Sequence, residues 1–252
     1  MTEHQEARVH CTINDDVCEL VLDNPGRSNA LSLALLDDLD AQLEIARREN
    51  VRVVIISGAG KTFSAGADFA DLKGTVEDLA MDVAIEKVVD AMLELPAPVI
   101  AAVEGPCMGG AVDVALACDM LVAGADAFFE VPAARMGLLY NPRAILRWRN
   151  RLSGLTLRCM LLAGERLAAD AAFQAGIASH VVAAGSALDK SRELASQVLA
   201  GTRDAVAATK SVLVAFESGD TNLENWQMLR GANLASPERK ELVERARKSK
   251  LS

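Results

Sequence analysis

The sequence lacks the features that would place it in a membrane, on a nucleic acid or around a metal ion. No apolar run approaches the roughly 20 residues that a membrane-spanning helix needs. No long basic run accompanies the net charge of −9. The five cysteines are odd in number and no pair has metal-ligand spacing, which predicts reduced thiols and no metal site. The acidic start of the chain does not resemble a signal peptide, so we expect a cytoplasmic protein with no membrane or nucleic-acid partner.

What the chain does contain is an alternation of strand and helix patterns. It is 51% hydrophobic and 24% charged, and its 252 residues suffice for one large core. Residues 9–13 and 17–22 predict a β-hairpin, and the apolar runs 51–57 and 99–103 predict strands buried on both faces. Helical patterns separate these strands, one of them capped by Ser32. The alternation predicts an α/β protein with parallel strands.

The pattern changes near residue 188. Beyond it, apolar residues recur at helical spacing with no strand between them, and Ser236-Pro237 has the residue types that begin a helix. We therefore predict two regions, a mixed core with the functional site over residues 1–187 and a helical region over residues 188–252. Apolar stripes on so short a helical region indicate packing on the core or on another subunit.

Two short glycine segments carry the most chemical information. Ser64–Asp68 and Gly105–Ala111 each follow a predicted buried strand, and each leaves backbone N–H groups uncrowded by side chains. Two such donors aimed at one point form an oxyanion hole, which stabilises negative charge on a carbonyl oxygen. The second segment also opens a helix, whose N-terminal end favours an anion. The alternative is structural: close packing of helix on strand, where only glycine fits.

Together with their surroundings, these segments resemble the crotonase (enoyl-CoA hydratase/isomerase) superfamily over nearly the whole chain. The resemblance implies an α/β spiral of repeated ββα units, with C-terminal helices that form homotrimers, often paired as hexamers. It also implies acyl-CoA thioester substrates, with coenzyme A as part of the substrate and no separate cofactor. The residues that carry it are Asn24-Pro25 through Ser32, Ser64–Asp68, Glu104 through Asp119, Gly164-Glu165 and Ala175-Gly176-Ile177.

The resemblance implies roles for particular residues in substrate binding. The N–H groups of Ala67 and Gly110 would bind the thioester oxygen and so take part in catalysis. Arg27, Ala30, Ala65 and Ala67 would lie along the coenzyme A moiety, mostly through backbone contacts.

The resemblance leaves the reaction open, because the usual acid–base residues are replaced. Family hydratases use two glutamates; the first falls at Asp113 and the second at Ala133, which has no acid–base group. Single-glutamate isomerases use the position of Ala133, and other members place an aspartate where Asn141 stands. We therefore predict that Ala133 and Asn141 line the substrate site without acting as bases, and that Asp113 is the remaining catalytic carboxylate.

The only tyrosine, Tyr140, is a second catalytic candidate. Residues 137–142 resemble the corresponding part of methylmalonyl-CoA decarboxylases, where the tyrosine lies at the active site. Loss of CO2 from a malonyl thioester needs an oxyanion hole but no base. Tyr140 could orient the carboxylate or help deliver a proton, and Asp113 could donate a proton if burial raises its pKa. The resemblance departs at Ala67, where those decarboxylases have a histidine.

Other interpretations stay open. The protein could be a hydratase or isomerase that uses Asp113 alone, or a non-catalytic acyl-CoA-binding protein. Tyr140 could instead pack at the start of a helix that Asn141 caps and Pro142 begins. Asp113 could be a helix-interior acid paired with an arginine.

Four arginines and one lysine outside the glycine segments also carry predictions. The arginines at 143, 147, 149 and 151 predict a solvated basic face or a contact between subunits. Lys210 is expected to be an exposed lysine, with contact to coenzyme A phosphates as the alternative.

Overall fold

The computed structural model describes residues 6–249, which form two β-sheets and ten α-helices. The strands are β1 (Arg8–Asn14), β2 (Val17–Asp23), β3 (Val53–Gly58), β4 (Val99–Val103), β5 (Pro106–Met108), β6 (Met120–Gly124), β7 (Phe128–Glu130), β8 (Leu167–Ala168) and β9 (His180–Val182). The helices are α1 (Leu33–Arg48), α2 (Leu79–Glu94), α3 (Gly110–Ala117), α4 (Pro142–Arg151), α5 (Gly154–Leu162), α6 (Ala169–Gln174), α7 (Ala187–Leu199), α8 (Arg203–Glu217), α9 (Leu223–Leu234) and α10 (Pro237–Ser249).

The larger sheet has six strands in the order β1-β2-β3-β4-β6-β9. β1 and β2 pair antiparallel around a turn at Asp15, whose φ is 51°, and every later pairing in this sheet is parallel. The predicted hairpin and parallel α/β core are therefore confirmed. Ser32 also caps α1 as predicted, with its hydroxyl accepting a hydrogen bond from the Leu35 N–H.

Both faces of the central strands β3 and β4 are buried, which explains their continuous apolar runs. On β3, Val53 and Ile55 point to one face, where they pack with Leu194 of α7. Val54 and Ile56 point to the opposite face and join the main core. The alternation follows from the two-residue period of a strand, so each buried strand contributes to two separate clusters.

The smaller sheet, in the order β5-β7-β8, is reached by a sharp turn at the end of β4. Gly105 makes this turn with a φ of 54°, and a Cβ at that position would lie 2.1 Å from the Lys61 carbonyl oxygen. The chain then passes through β5 into α3, so β4, β5 and α3 form a strand–strand–helix unit. The two sheets, this unit and the C-terminal helices agree with the α/β fold that the resemblance implies.

The four helices from residue 187 onward differ in how they contact the core. α7 covers the larger sheet, whereas α9 contains no buried residue. The boundary predicted at residue 187 stays a prediction, and residues 250–252 of the predicted helical region lie outside the described part of the chain. None of the helices between residues 6 and 249 has both the length and the apolar character that a membrane crossing needs.

Lys210 attaches α8 to the core. Its ammonium is buried and donates to the carbonyl oxygens of Met92, at 2.8 Å, and Ala97, at 3.0 Å. It also lies 3.0 Å from a carboxylate oxygen of Asp119. The expectation of an exposed lysine is therefore wrong. Since all these partners belong to the protein, the ammonium is not placed to meet coenzyme A phosphates either.

Candidate active site

The two glycine segments lie side by side and are joined by an isolated parallel β-bridge. Ser64 pairs with Cys107: the Ser64 N–H donates to the Pro106 carbonyl at 3.1 Å, and the Met108 N–H donates to the Ser64 carbonyl at 3.0 Å. Ala67 and Gly110 each come three residues after this pair. The structure thus brings together the two segments that the sequence leaves about 40 residues apart.

Close approach of these segments requires glycine. Gly66 has a φ of 87°, and a Cβ there would lie 2.6 Å from the Met108 carbonyl oxygen and 3.5 Å from the Gly109 Cα. Gly109 has φ 53° and ψ −123°, a conformation that residues with a side chain rarely adopt. The packing role of the glycines is therefore confirmed. It is compatible with a second role, because the same segments also present unpartnered N–H groups.

The N–H groups of Ala67 and Gly110 are both available to a ligand. Throughout residues 6–249, no protein group accepts a hydrogen bond from either of them. Their neighbours are occupied, since the Gly109 N–H donates to the Glu130 carbonyl and the Asp68 N–H donates to the Leu31 carbonyl, each at 2.9 Å. Gly110 is the first residue of α3, where the helix dipole adds partial positive charge.

The predicted coenzyme A residues gather around the first glycine segment. The Ala65 N–H donates to the Ser28 carbonyl at 3.0 Å, which holds the loop of Arg27 and Ala30 against this segment. The Arg27 guanidinium is half exposed and donates to the buried Asp68 carboxylate at 2.7 Å. The sequence alone suggests no function for Asp68, but the structure shows that its carboxylate anchors Arg27.

Asp113 lies one turn into α3 and is only 2% exposed. Arg147 donates to one of its carboxylate oxygens at 2.6 Å, and the indole N–H of Trp148 donates to the other at 3.0 Å. Burial raises the pKa of Asp113 to about 6, although the positive charge of Arg147 partly offsets this. The interpretation of Asp113 as a helix-interior acid paired with an arginine is confirmed.

Sequence reasoning missed a second buried carboxylate, Glu86 of α2. Both terminal nitrogens of Arg147 donate to it, at 2.9 and 3.0 Å, and Arg143 also pairs with it. Arg143 further contacts Asp90. The predicted basic face is thus corrected for Arg143 and Arg147, since carboxylates of α2 and α3 neutralise them. Arg149 is exposed.

Tyr140 lies between α3 and α4. Its hydroxyl donates to the Gly109 carbonyl oxygen at 3.0 Å, and its ring centroid is 5.1 Å from that of Trp148. Asn141 caps α4 by accepting from the Arg143 N–H at 2.8 Å, and Pro142 is the first helical residue, as predicted. The hydroxyl of Tyr140 contacts the backbone next to Gly110, so more than helix packing holds this side chain.

Ala133 is buried in a 3₁₀ turn that spans Ala133–Met136. Its carbonyl accepts a hydrogen bond from the Leu138 N–H at 2.9 Å, which links the turn to the segment of Tyr140. The structure therefore connects Asp113 and Tyr140 through Trp148 and places apolar surface at Ala133. The roles of these residues in binding and catalysis remain predictions.

The fold of two sheets and the two unpartnered backbone donors are the features that the comparison with known proteins must account for. The chain belongs to the enoyl-CoA hydratase/isomerase family, whose model matches residues 12–247. It is therefore related to acyl-CoA enzymes over nearly its whole length.

Named relatives and solved structures agree with this membership. Carnitinyl-CoA dehydratases of Proteus mirabilis and Escherichia coli K12 are each 33% identical over 207 residues, which cover 81% of this chain and 79% of theirs. An enoyl-CoA hydratase structure from Mycobacterium smegmatis has a TM-score of 0.87 and 28% identity, covering 96% of both chains. One from Polaromonas sp. JS666 has a TM-score of 0.85 and 26% identity, covering 94% of this chain and 95% of that one.

These relatives correct one part of the sequence analysis. The curated relatives named above are dehydratases, not the methylmalonyl-CoA decarboxylases that residues 137–142 resemble. The comparisons therefore show the family of this chain, and the proposed reaction rests on the chemistry of the site.

Proposed function

We propose that this protein is an acyl-CoA enzyme that stabilises a thioester enolate between the N–H groups of Ala67 and Gly110. The observation that carries the proposal is the parallel pairing of the two glycine segments, which leaves these two donors unpartnered. Preorganised donors of this kind are worth most where negative charge develops during the reaction. The coenzyme A moiety would lie along Arg27, Ala30 and Ala65.

Few acid–base groups accompany this oxyanion hole. Ala133 has none, Asn141 caps a helix, and both carboxylate oxygens of Asp113 already accept hydrogen bonds. The site therefore favours a reaction that needs an enolate but no protein base. Decarboxylation of a malonyl-type thioester is such a reaction: the electrons of the breaking C–C bond enter the enolate and CO2 leaves. A proton from water, or from a protonated Asp113 that has released Arg147 or Trp148, then completes the product.

Elimination or addition of water is the second candidate. The dehydratase names of the curated relatives favour it, and so does the position of Asp113 one turn beyond Gly110. A carboxyl group with a pKa of about 6 is suited to exchange protons near neutral pH. In this case Asp113 must release Arg147 or Trp148 in order to reach the substrate.

A panel of thioesters distinguishes these candidates. The purified protein should release CO2 from malonyl-CoA or methylmalonyl-CoA and turn over crotonyl-CoA and carnitinyl-CoA slowly or not at all. Turnover of crotonyl-CoA or carnitinyl-CoA without CO2 release would reject decarboxylation in favour of the second candidate. Binding of all four thioesters with no turnover would instead indicate a non-catalytic acyl-CoA-binding protein.

A pair of variants at Gly110 tests the oxyanion hole. Proline is tolerated at the first position of a helix and removes the N–H, whereas alanine keeps it. Both substitutions add a Cβ, which would lie 2.6 Å from the flexible end of Ile85. Gly110→Pro should therefore lower kcat by roughly 10²–10³-fold relative to Gly110→Ala. Equal kcat values for the two variants would contradict a role for this N–H.

We also propose that the chain assembles as a homotrimer, or as a hexamer of paired trimers. The support is a set of apolar side chains on α8, α9 and α10 that the single chain leaves exposed. They are Leu213, Phe216, Leu223, Met228, Leu229, Leu234 and Leu242.

A further inference from the structure

Tyr140 contacts the same peptide group that carries one of the two proposed donors. The peptide bond between Gly109 and Gly110 has the Gly109 carbonyl at one end and the Gly110 N–H at the other. The Tyr140 hydroxyl donates to that carbonyl at 3.0 Å. The direction of the Gly110 N–H is therefore coupled to this hydrogen bond, since a peptide group is planar.

This peptide group needs external support. Gly109, with its φ of 53° and ψ of −123°, precedes α3 and has no side chain to cap the helix. Apart from Tyr140, the only donor to its carbonyl among residues 6–249 is the Val112 N–H, at 3.1 Å. Its own N–H is held by the Glu130 carbonyl. Without the tyrosine, only the hydrogen bond from the Val112 N–H would hold the carbonyl end of this peptide group.

Tyr140 is itself held in place. Its ring is tilted by 41° against the Trp148 ring, and the Trp148 indole donates to Asp113, which Arg147 also holds. Burial raises the pKa of Tyr140 well above its ordinary value, so the hydroxyl keeps its proton and remains a donor. A tyrosine hydroxyl has a single proton, and here the Gly109 carbonyl accepts it.

We propose that Tyr140 is a positioning residue of the oxyanion hole, whose hydroxyl aims and polarises the Gly109–Gly110 peptide so that the Gly110 N–H binds the thioester oxygen more strongly. Consecutive hydrogen bonds polarise one another, with a strengthening of about 10–30% per bond. The inference rests on the proposed function, because it requires the thioester oxygen to accept from Gly110. It assigns to Tyr140 an action on the thioester of any acyl-CoA, with or without a carboxylate.

The test compares wild type with Tyr140→Phe, which keeps the ring on Trp148 and removes only the hydroxyl. Two ligands are used: butyryl-CoA, and S-butyl-CoA, a thioether that lacks the carbonyl oxygen. Calorimetry gives their dissociation constants, and infrared difference spectra with a ¹³C-labelled thioester give the carbonyl stretching frequency. Ser153→Ala is the matched control, since it removes a hydroxyl that caps the neighbouring helix α5.

In wild type and Ser153→Ala, we expect the bound carbonyl stretch to lie below that of free butyryl-CoA. In Tyr140→Phe the frequency shift should shrink, and butyryl-CoA should bind several-fold more weakly while S-butyl-CoA binds as before. On the substrate that wild type turns over, kcat should fall about tenfold, less than the roughly 10²–10³-fold cost of deleting a donor.

Two results would overturn the inference while leaving the hole intact. One is an unchanged frequency shift in Tyr140→Phe; the other is an equal loss of affinity for both ligands, which would indicate a merely structural role. A wild-type protein that shows no frequency shift and binds both ligands equally would instead overturn the proposed function, and the inference with it.

Discussion

At the scale of single residues, burial and ion pairing shift the pKa of the Asp113 carboxylate in opposite directions. Burial favours the neutral acid, and Arg147 favours the anion; burial has the larger effect, so the folded-state pKa is about 6 against an ordinary value of 3.8. Between these two pH values the folded protein binds more protons than the unfolded chain. Its stability therefore falls as pH rises through this range.

This predicts a pH-dependent difference between wild type and Asp113→Asn. The stability of wild type relative to the variant should fall by at most about 3 kcal/mol between pH 4 and 6, and change little above pH 7. Chemical denaturation at a series of pH values measures it. Asp90→Asn removes an exposed carboxylate of the same cluster and should follow the wild-type profile. A difference that is constant or grows with pH would contradict the assignment.

Gly66 provides a second test at the residue scale, with a close control in Gly60. Both have positive φ values, 87° and 74°, so alanine is strained at either position. Only at Gly66 would the new Cβ meet backbone, 2.6 Å from the Met108 oxygen; at Gly60 nothing lies within 4 Å. We expect Gly66→Ala to weaken butyryl-CoA binding at least tenfold in calorimetry, with Gly60→Ala near wild type. Equal losses of affinity would indicate that backbone strain alone matters.

At the scale of elements, α8 depends on one buried lysine. Lys210 donates to two carbonyls and pairs with Asp119, so its removal leaves these acceptors unsatisfied. Lys210→Met should lower the free energy of unfolding by about 3 kcal/mol, within the range for breaking a buried ion pair. It should also increase hydrogen exchange over residues 203–217. Lys240→Met, on exposed α10, should change stability by less than about 0.5 kcal/mol. Similar exchange in the two variants would refute the role of Lys210.

At the scale of the whole molecule, the exposed apolar side chains of α8–α10 predict that the protein forms an oligomer in solution. Light scattering should give three, or six, times the 26.7 kDa of one chain. Leu223→Glu with Met228→Glu should shift the mass toward one chain, because charge on a buried apolar contact is unfavourable. Ile45→Glu, on the exposed side of α1, should leave the mass unchanged. A wild-type protein of 26.7 kDa would reject the proposed trimer.

The sequence predicted what local patterns determine. The alternation of strand and helix gave the parallel core, and the residue types at Ser32 and Pro142 gave two helix starts. Contacts between distant segments were predicted less well. Glu86 lies 61 residues from Arg147, and no periodicity reports that the two meet. Lys210 was misread because a lysine on a helix is usually exposed, and its acceptors come from other elements.

The proposed oxyanion hole is the intermediate case. Glycine content and preceding strands predicted two sets of free N–H groups, and the resemblance implied which two would converge. Their register, fixed by the pairing of Ser64 with Cys107, could be seen only in the structure. The same holds for the Tyr140 hydroxyl, whose acceptor is a backbone oxygen 31 residues away.

That the donors at residues 67 and 110 are main-chain groups has a consequence for how this scaffold can diverge. Mutation replaces side chains and leaves main-chain amides in place, proline excepted. If these donors bind a thioester oxygen as proposed, substitutions at Asp113, Ala133 and Tyr140 can change the reaction while the protein continues to bind the same carbonyl. The two backbone donors are inherited with the fold, and the side chains around them determine the reaction.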